Sequence, residues 1–395
     1  MAQGPEVVIL SALRSAVGDF GGALRGLPPT RLGALVAAEA IRRAGIAPDD
    51  IGHAVFGNVI HTEPRDAYLA RVVAVEAGVP VSSPALTVNR LCGSGMQAIV
   101  SAAQMITLGD TTTALAGGAE CMSRAGHLLS SARGGQKMGE TTATDMLLGA
   151  LTDPFGHGHM GITAENVAGS NGITRDAQDL LAVESHRRAT KAIAEGRFKD
   201  QIVPIEIADR KGKRVFDTDE HVRADVSIAT LAELRPAFRK DGTVTAGNAS
   251  SINDGAAALV LMEGGEATRR GLKPLARIVA YGHAGVEPGE MGMGPVPAVR
   301  RALDRAGLGV GDLDVIESNE AFAAQACAVA AGLGLPADRT NPNGGAIALG
   351  HPVGASGAII TVKLIHELHR VGGRYGLATM CIGGGQGIAL IVERI

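Results

Sequence analysis

The sequence predicts an α/β fold made of two copies of one half, and three observations predict it. Short apolar runs alternate with amphipathic helical patterns along the chain, which favours mostly parallel, buried strands joined by helices. Two distant stretches share one layout: ALTVNRLCGSGMQAIVSAAQMI, a polar turn and TTALAGGAE, then GGAIALGHPVGASGAIITVKLIHEL, a turn and YGLATMCIGGGQG. Glycine supplies 55 of the 395 residues without a collagen-like period, so tight turns and close backbone approaches are expected.

Taken in order, EVVILSAL reads as a buried strand, and Thr30 to Arg43 as an Ala-rich amphipathic helix after the Pro28-Pro29 turn. The first repeated stretch follows, with a reactive residue between glycines at the entry to a long helix. From Cys121 to Thr245 the chain carries more charge, Gly, Thr and His, with several basic residues between Arg187 and Arg214, and reads as an inserted loop domain. The strand-like AAALVLME (Ala256 to Glu263) and the polar GGEATRRGLKP then lead into the second copy. The division expected is residues 1–120 with 246–270 as one half, 121–245 as the insertion, and 271–395 as the other half.

Composition excludes several functions. A net charge of −3 with both signs interspersed argues against nucleic acid as a partner. The N-terminus lacks a basic leader and no run reaches 18 uninterrupted apolar residues, so neither a membrane span nor secretion is expected, and the chain reads as cytoplasmic. Cys92, Cys121, Cys327 and Cys381 form no CxxC pair and no zinc spacing, so reduced thiols and no metal are expected. No GxxxxGK[ST] loop signals ATP.

Four segments carry possible chemistry. Cys92, in NRLCGSGMQAI, falls near a helix N-terminus, where N–H groups and the macrodipole favour the thiolate, and Gly93 and Gly95 would leave room for substrate. His351, in ALGHPVGASG, sits in loop chemistry and could take a thiol proton. Cys381 precedes Gly383, Gly384, Gly385 and Gly387, whose N–H groups could hold an oxyanion. Asn319 and Glu320 follow the strand LDVIES, at the sheet end where α/β folds bind ligands. The plainer alternatives are an inert core cysteine, a turn histidine, a glycine turn beside an unreactive thiol, and two residues that merely cap a helix.

Weaker features carry less. His157 and His159 lack a completing metal ligand, so a structural or substrate-lining role is expected; IHELH (Ile365 to His369) spaces its histidines three apart and reads as a helix surface; the basic stretch reads as solvated.

The segments NRLCGSG, GGAECMS, HMGITAENVA, TAGNASSIND, GPVPA, NEAFAAQ, NPNGGAIALGHPVGASG and CIGGGQG together resemble the thiolase family over essentially the whole chain. GNVIHTEPRDAYLAR is most similar to its bacterial β-ketothiolase branch, which makes acetoacetyl-CoA and 3-ketovaleryl-CoA. The resemblance implies Cys92 as acyl-accepting nucleophile, His351 as its base and Cys381 as acid/base on a second acetyl-CoA. Asn319, through a water, and His351 would form one oxyanion hole, and the N–H groups of Cys92 and Gly383 the other. It further implies a thiolase fold with a five-layer αβαβα core and no tightly bound cofactor. Coenzyme A and acyl-CoA would be substrates, with Arg223 near the nucleotide, Ser250 on the pantetheine, and His159 and Met160 beside the acyl end. Ala246, Gly247, Phe238 and Leu234 would line the same coenzyme A path. A homotetramer, a dimer of dimers joined by a loop of the insertion, is implied too. Cys121, Ser251 and Ile359 depart from the family's usual Ser, Gly and Arg, none at a proposed reacting group. Acyl length would depend on Met160, Leu148, Phe238 and Met291. Two alternatives stay open: a ketoacyl synthase with a malonyl donor, and a non-catalytic acyl-CoA-binding relative.

Overall fold

The structure is a computed structural model that describes residues 4–209 and 212–395; Arg210 and Lys211 of the basic stretch lie outside the described residues. The strands along its main sheet are β1 (Val7–Ser15), β2 (His53–Gly57), β3 (Ala85–Val88), β4 (Thr113–Cys121), β5 (Asn253–Glu263), β6 (Ala276–Gly285), β7 (Val315–Ser318), β8 (Tyr375–Ile382) and β9 (Gln386–Arg394), with short two- to five-residue strands besides. The main helices are α1 (Pro29–Ala44), α2 (Ser94–Leu108), α3 (Met160–Asn171), α4 (Arg175–Ala194), α5 (Pro295–Ala306), α6 (Ala323–Leu333) and α7 (Val353–Val371). Pro29 occupies the first helical position of α1, where a missing N–H is harmless, and Gly45 closes the helix at φ 71.

The strands run β7-β8-β9-β6-β1-β5-β4-β2-β3 across one sheet. Read outward from the central β1–β6 junction, both halves place their first, fifth, fourth and second strands in that order. The third strand of the second half shrinks to a single bridge between Ile316 and Thr340. The duplication seen in the sequence is therefore a duplication of topology.

The expectation of mostly parallel strands is corrected: the sheet is mixed. Only β2–β3, β2–β4 and β7–β8 pair in parallel within that path, whereas β1–β5, β4–β5, β1–β6, β6–β9 and β8–β9 are antiparallel. The physical reason lies in the connections. Gly383 to Gly385 join β8 to β9 as a tight turn, with Gly384 and Gly385 at φ 80 and 84, and so short a link permits only a hairpin. Burial on both faces had mimicked parallel strands, since β4 and β5 are covered almost throughout.

Three apolar clusters fill the four interfaces between five layers. One lies between α1 and the first half of the sheet, one surrounds α2 and α7 between the two halves of the sheet, and one lies between the second half of the sheet and α5. The span Leu91–Leu108 is long and apolar enough to cross a bilayer, but here it is the central helix with its approach loop, packed on α7. A Cβ at Gly95 would lie 2.8 Å from the Ala358 nitrogen, and one at Gly357 2.5 Å from the Met96 nitrogen, so glycine sets this close helix crossing. The reading of IHELH as a helix surface is likewise corrected. It belongs to α7, where Ile365, Glu367 and Leu368 are buried, His366 bonds the Ala12 carbonyl at 2.9 Å, and only the last turn reaches solvent.

The insertion leaves β4 and returns into β5 side by side, with Cys121 opposite Asp254. A buried, bidentate pair fastens it to the core: Arg14 on β1 reaches Asp219 at 2.7 and 2.9 Å and also Gln201 at 2.8 Å. Its basic residues are mostly spent on neighbours. Arg187 and Arg188 pair with Glu184, Arg197 with Glu195, and Lys213 with Glu206.

Candidate active site

The repeated stretches deliver their reactive residues to one place. In the first, the chain turns sharply between β3 and α2, and Leu91 adopts φ 46, a left-handed conformation costly for a branched side chain. Asn89 Oδ1 accepts the Leu91 N–H at 3.0 Å, and Ser94 Oγ accepts from the Arg90 N–H at 2.8 Å while donating to the Leu91 carbonyl at 2.6 Å. This strained turn presents Cys92 to an apolar cavity of about 290 Å³. Cys92, His351, Cys381 and Gly383 line it together with His159, Met160, Phe238 and Ser250.

Electrostatics at Cys92 correct one expectation. Burial pushes its thiol up to about 11, against the opposing pull of the Gly383 N–H and its own N–H, so the resting group is a neutral thiol. The protein packed around the sulfur outweighs two backbone donors. Gly93 and Gly95 are corrected as well. A Cβ at Gly93 would meet Ile382 at 2.5 Å, and Gly95 faces α7, so these glycines admit protein rather than substrate.

Cys381 is the penultimate residue of β8, is buried, and is raised by burial with a further push from nearby Cys92. His351 follows Gly350, whose φ of 101 turns the chain against Asn253. Asn253 Oδ1 accepts the His351 N–H at 2.8 Å. Burial lowers the imidazole to about 4, which keeps it neutral at physiological pH. Nδ1 lies 2.6 Å from Ser356 Oγ, and Nε2 lies 3.5 Å from Asn319 Nδ2. Asn319 therefore belongs to the site and caps nothing: α6 begins after Phe322 without a side-chain cap. Glu320 turns elsewhere, accepting from Ser185 at 2.7 Å and Asn341 at 2.8 Å, and pins α4 to the second half.

The remaining candidates divide. His159 stacks on Phe238 with centroids 4.8 Å apart, and its Nδ1 accepts the Gly161 N–H at 3.0 Å, opening α3. Phe238 also meets Phe322 edge-on at 6.1 Å. Leu234 and Gly247 lie against each other outside the cavity, Ala246 is exposed, and Arg223 is exposed farther along the insertion beside His186. His157 stands 3.8 Å from Glu287. Leu148 is corrected: it points to solvent from a one-turn helix, and Leu151 lines the cavity instead, with Met291. Ser251 is closer to the chemistry than its sequence position suggested. It lines the cavity and donates to Asn253 Oδ1 at 2.8 Å, the atom that also holds His351.

Sequence reasoning missed Glu120. This buried carboxylate accepts from the Val59, Ile60 and Gly354 N–H groups at 2.9, 3.1 and 2.9 Å and from Asn58 Nδ2 at 3.1 Å. It ties β4 and the loop after β2 to the first turn of α7. Burial raises it to about 8 while the backbone donors oppose. An acid closing the apolar strand TALAGGAE was the available signal. Asn253 was missed because its partners lie across the fold, and Ser356 because its bonds to His351 and Pro352 depend on how the chain turns into α7.

Fold and site together define an acyltransferase-like pair of thiols with a neutral base, and the sequence comparisons agree with that class. Residues 7–265 match the family described as Thiolase, N-terminal domain, and residues 272–394 match Thiolase, C-terminal domain. The chain belongs to the thiolase family. It is 64% identical over 391 residues to Beta-ketothiolase BktB of Cupriavidus necator, covering 99% of each chain. It superposes on the Bacillus anthracis acetyl-CoA acetyltransferase with a TM-score of 0.97 at 47% identity, covering 100% of both chains. Human mitochondrial 3-ketoacyl-CoA thiolase in complex with CoA gives a TM-score of 0.96 at 42% identity, covering 100% of this chain and 99% of the other.

Proposed function

We propose that the protein is an acyl-CoA:acetyl-CoA C-acyltransferase that condenses two acyl-CoA molecules reversibly to 3-ketoacyl-CoA and free CoA. The observation that carries this reading is the meeting of two thiols, Cys92 and Cys381, in one apolar cavity with neutral His351 and the N–H of Gly383 at the Cys92 sulfur. Coenzyme A as the carrier is supported by the relative solved with it.

A thioester α-proton is weakly acidic, so the reaction needs a covalent acyl carrier and a stabilised enolate. His351 takes the Cys92 proton as the sulfur attacks the acyl-CoA carbonyl, with the Cys92 and Gly383 N–H groups facing the developing oxyanion. The departing CoA thiolate takes the proton of Cys381 and leaves as free CoA. Cys381, now a thiolate whose burial makes it a strong base, removes the α-proton of acetyl-CoA. Asn319 and His351 face that enolate. The enolate carbon attacks acyl-Cys92, the Cys92–acyl bond breaks, and the proton held on His351 returns to Cys92. Each group ends as it began.

Leu234, Ala246, Gly247 and Arg223 serve in this reading as the path for pantetheine and nucleotide, which Ser250 and Phe238 continue into the cavity they line. The division into residues 1–120 with 246–270, 121–245 and 271–395 follows from this reading. A homotetramer fits the apolar residues that the insertion exposes, Leu128, Leu129 and Met138, and the unpaired edge strand β3 with Leu86. A cytoplasmic location rests on the sequence features alone. Against a ketoacyl synthase stands Cys381, at the position where such enzymes would need a second His or Asn.

The test is thiolysis of acetoacetyl-CoA and 3-ketovaleryl-CoA with free CoA. Turnover of both that vanishes in Cys92→Ala supports the reading. Tight acyl-CoA binding without turnover would favour the non-catalytic alternative, and activity only with malonyl donors the synthase.

A further inference from the structure

We infer that Ser356 is a positioning residue that holds His351 in the tautomer protonated on Nδ1, leaving Nε2 as the nitrogen that receives the Cys92 proton; this rests on the acyl-transfer reading. Ser356 lies in the first turn of α7 and is 3% exposed. Its Oγ is 2.6 Å from His351 Nδ1 and 2.9 Å from the Pro352 carbonyl oxygen. A hydroxyl has one proton to give. Were that proton given to Nδ1, two acceptor oxygens would face each other at 2.9 Å with nothing between them. Given to Pro352, it satisfies both contacts, because Oγ then accepts from Nδ1–H. A carbonyl can only accept, so the shared serine decides the tautomer.

The opposite edge of the ring agrees. The Asn319 amide nitrogen faces Nε2 at 3.5 Å, and an amide NH₂ can only donate, which requires a lone pair on Nε2. The ring has no freedom to seek another partner. The His351 N–H is held by Asn253, itself buried and bonded to the Gly18 carbonyl at 3.1 Å, and a Cβ on Gly350 would strike Asn253 at 2.5 Å. Ser356 also borders a small void of about 20 Å³ shared with Asn319 and Lys363, roughly the room one water needs. In Ser356→Ala that void grows and water can replace the hydroxyl. Water gives or takes a proton with equal ease, so the ring would remain bonded yet lose its fixed tautomer. The loss should therefore fall on proton transfer and spare folding and substrate binding.

The experiment combines kinetics with ¹⁵N solid-state spectra of protein carrying labelled histidine, the His351 signals assigned by difference with His351→Gln. Wild type should show His351 protonated on Nδ1 and bare on Nε2. Ser356→Ala should show mixed tautomers and a kcat lower by about 10- to 100-fold with KM little changed, as for other groups that orient a reacting histidine. Ser356→Thr, which keeps the hydroxyl, should recover most of the rate and the wild-type spectrum. A wild-type spectrum with the proton on Nε2, or a Ser356→Ala variant with unaltered spectrum and rate, overturns the inference. If wild type itself fails to turn over, the acyl-transfer reading falls, and the spectrum alone then decides the tautomer.

Discussion

Two side chains set the pH behaviour of the site. Burial holds His351 at about 4, so the base is neutral from pH 5 upward, and the acid limb of kcat/KM is expected below pH 5 rather than near the ordinary histidine value of about 6.5. The linked stability effect has a definite sign. Between about 4 and 6.5 the unfolded chain binds a proton at this position that the folded chain does not, so stability falls as pH drops through that window. Denaturant unfolding at several pH values, comparing wild type with His351→Gln, should show the slope reduced in the variant. Cys92, pushed up to about 11, should be alkylated in Cys381→Ala at a rate that still climbs above pH 9; a plateau near pH 7 would mean the resting group is a thiolate. Cys92, His351 and Cys381 were legible because each breaks an apolar pattern among glycines, and Asn319 because it follows directly on an apolar strand. Their protonation was not, since burial is a property of the folded cavity.

At the scale of elements, the site depends on how closely α2 and α7 approach. Gly95→Ala would place a methyl 2.8 Å from the Ala358 nitrogen and about 3.1 Å from the Ala355 and Gly354 carbonyls. The helices would have to part, at about 1–3 kcal/mol, and the rate should fall because Cys92 precedes one helix and His351 the other. Thermal unfolding and thiolysis together check this; a loss of stability without a loss of rate would show that the crossing does not position the pair. Glu120→Ala removes the acceptor of four donors, three of them buried, and should cost about 3–5 kcal/mol by denaturant titration. The strands and long helices were readable from periodicity. Strand direction was not, because full burial erases the alternation that marks antiparallel sheets, and only the length of the Gly383–Gly385 turn reveals the hairpin.

For the whole molecule, the repeat in the sequence foretold the paired halves, while the surface of the insertion became readable only in three dimensions. Met138 stands almost fully exposed on a loop that also exposes Leu128 and Leu129. Light scattering should find a tetramer in wild type and a dimer in Met138→Glu; an unchanged mass would place the contact elsewhere. In the proposed reaction the acyl group passes through Cys92. This is tested most directly by incubating Cys381→Ala with acetyl-CoA, quenching in acid, and mapping modified peptides by mass spectrometry. One acetyl group on the peptide carrying Cys92, absent when Cys92→Ala is added, is the predicted result, because without Cys381 the departing CoA thiolate can take its proton from water, whereas no base is left to remove the α-proton. An unmodified Cys92, or acetylation at Cys121 or Cys327 alone, would contradict it.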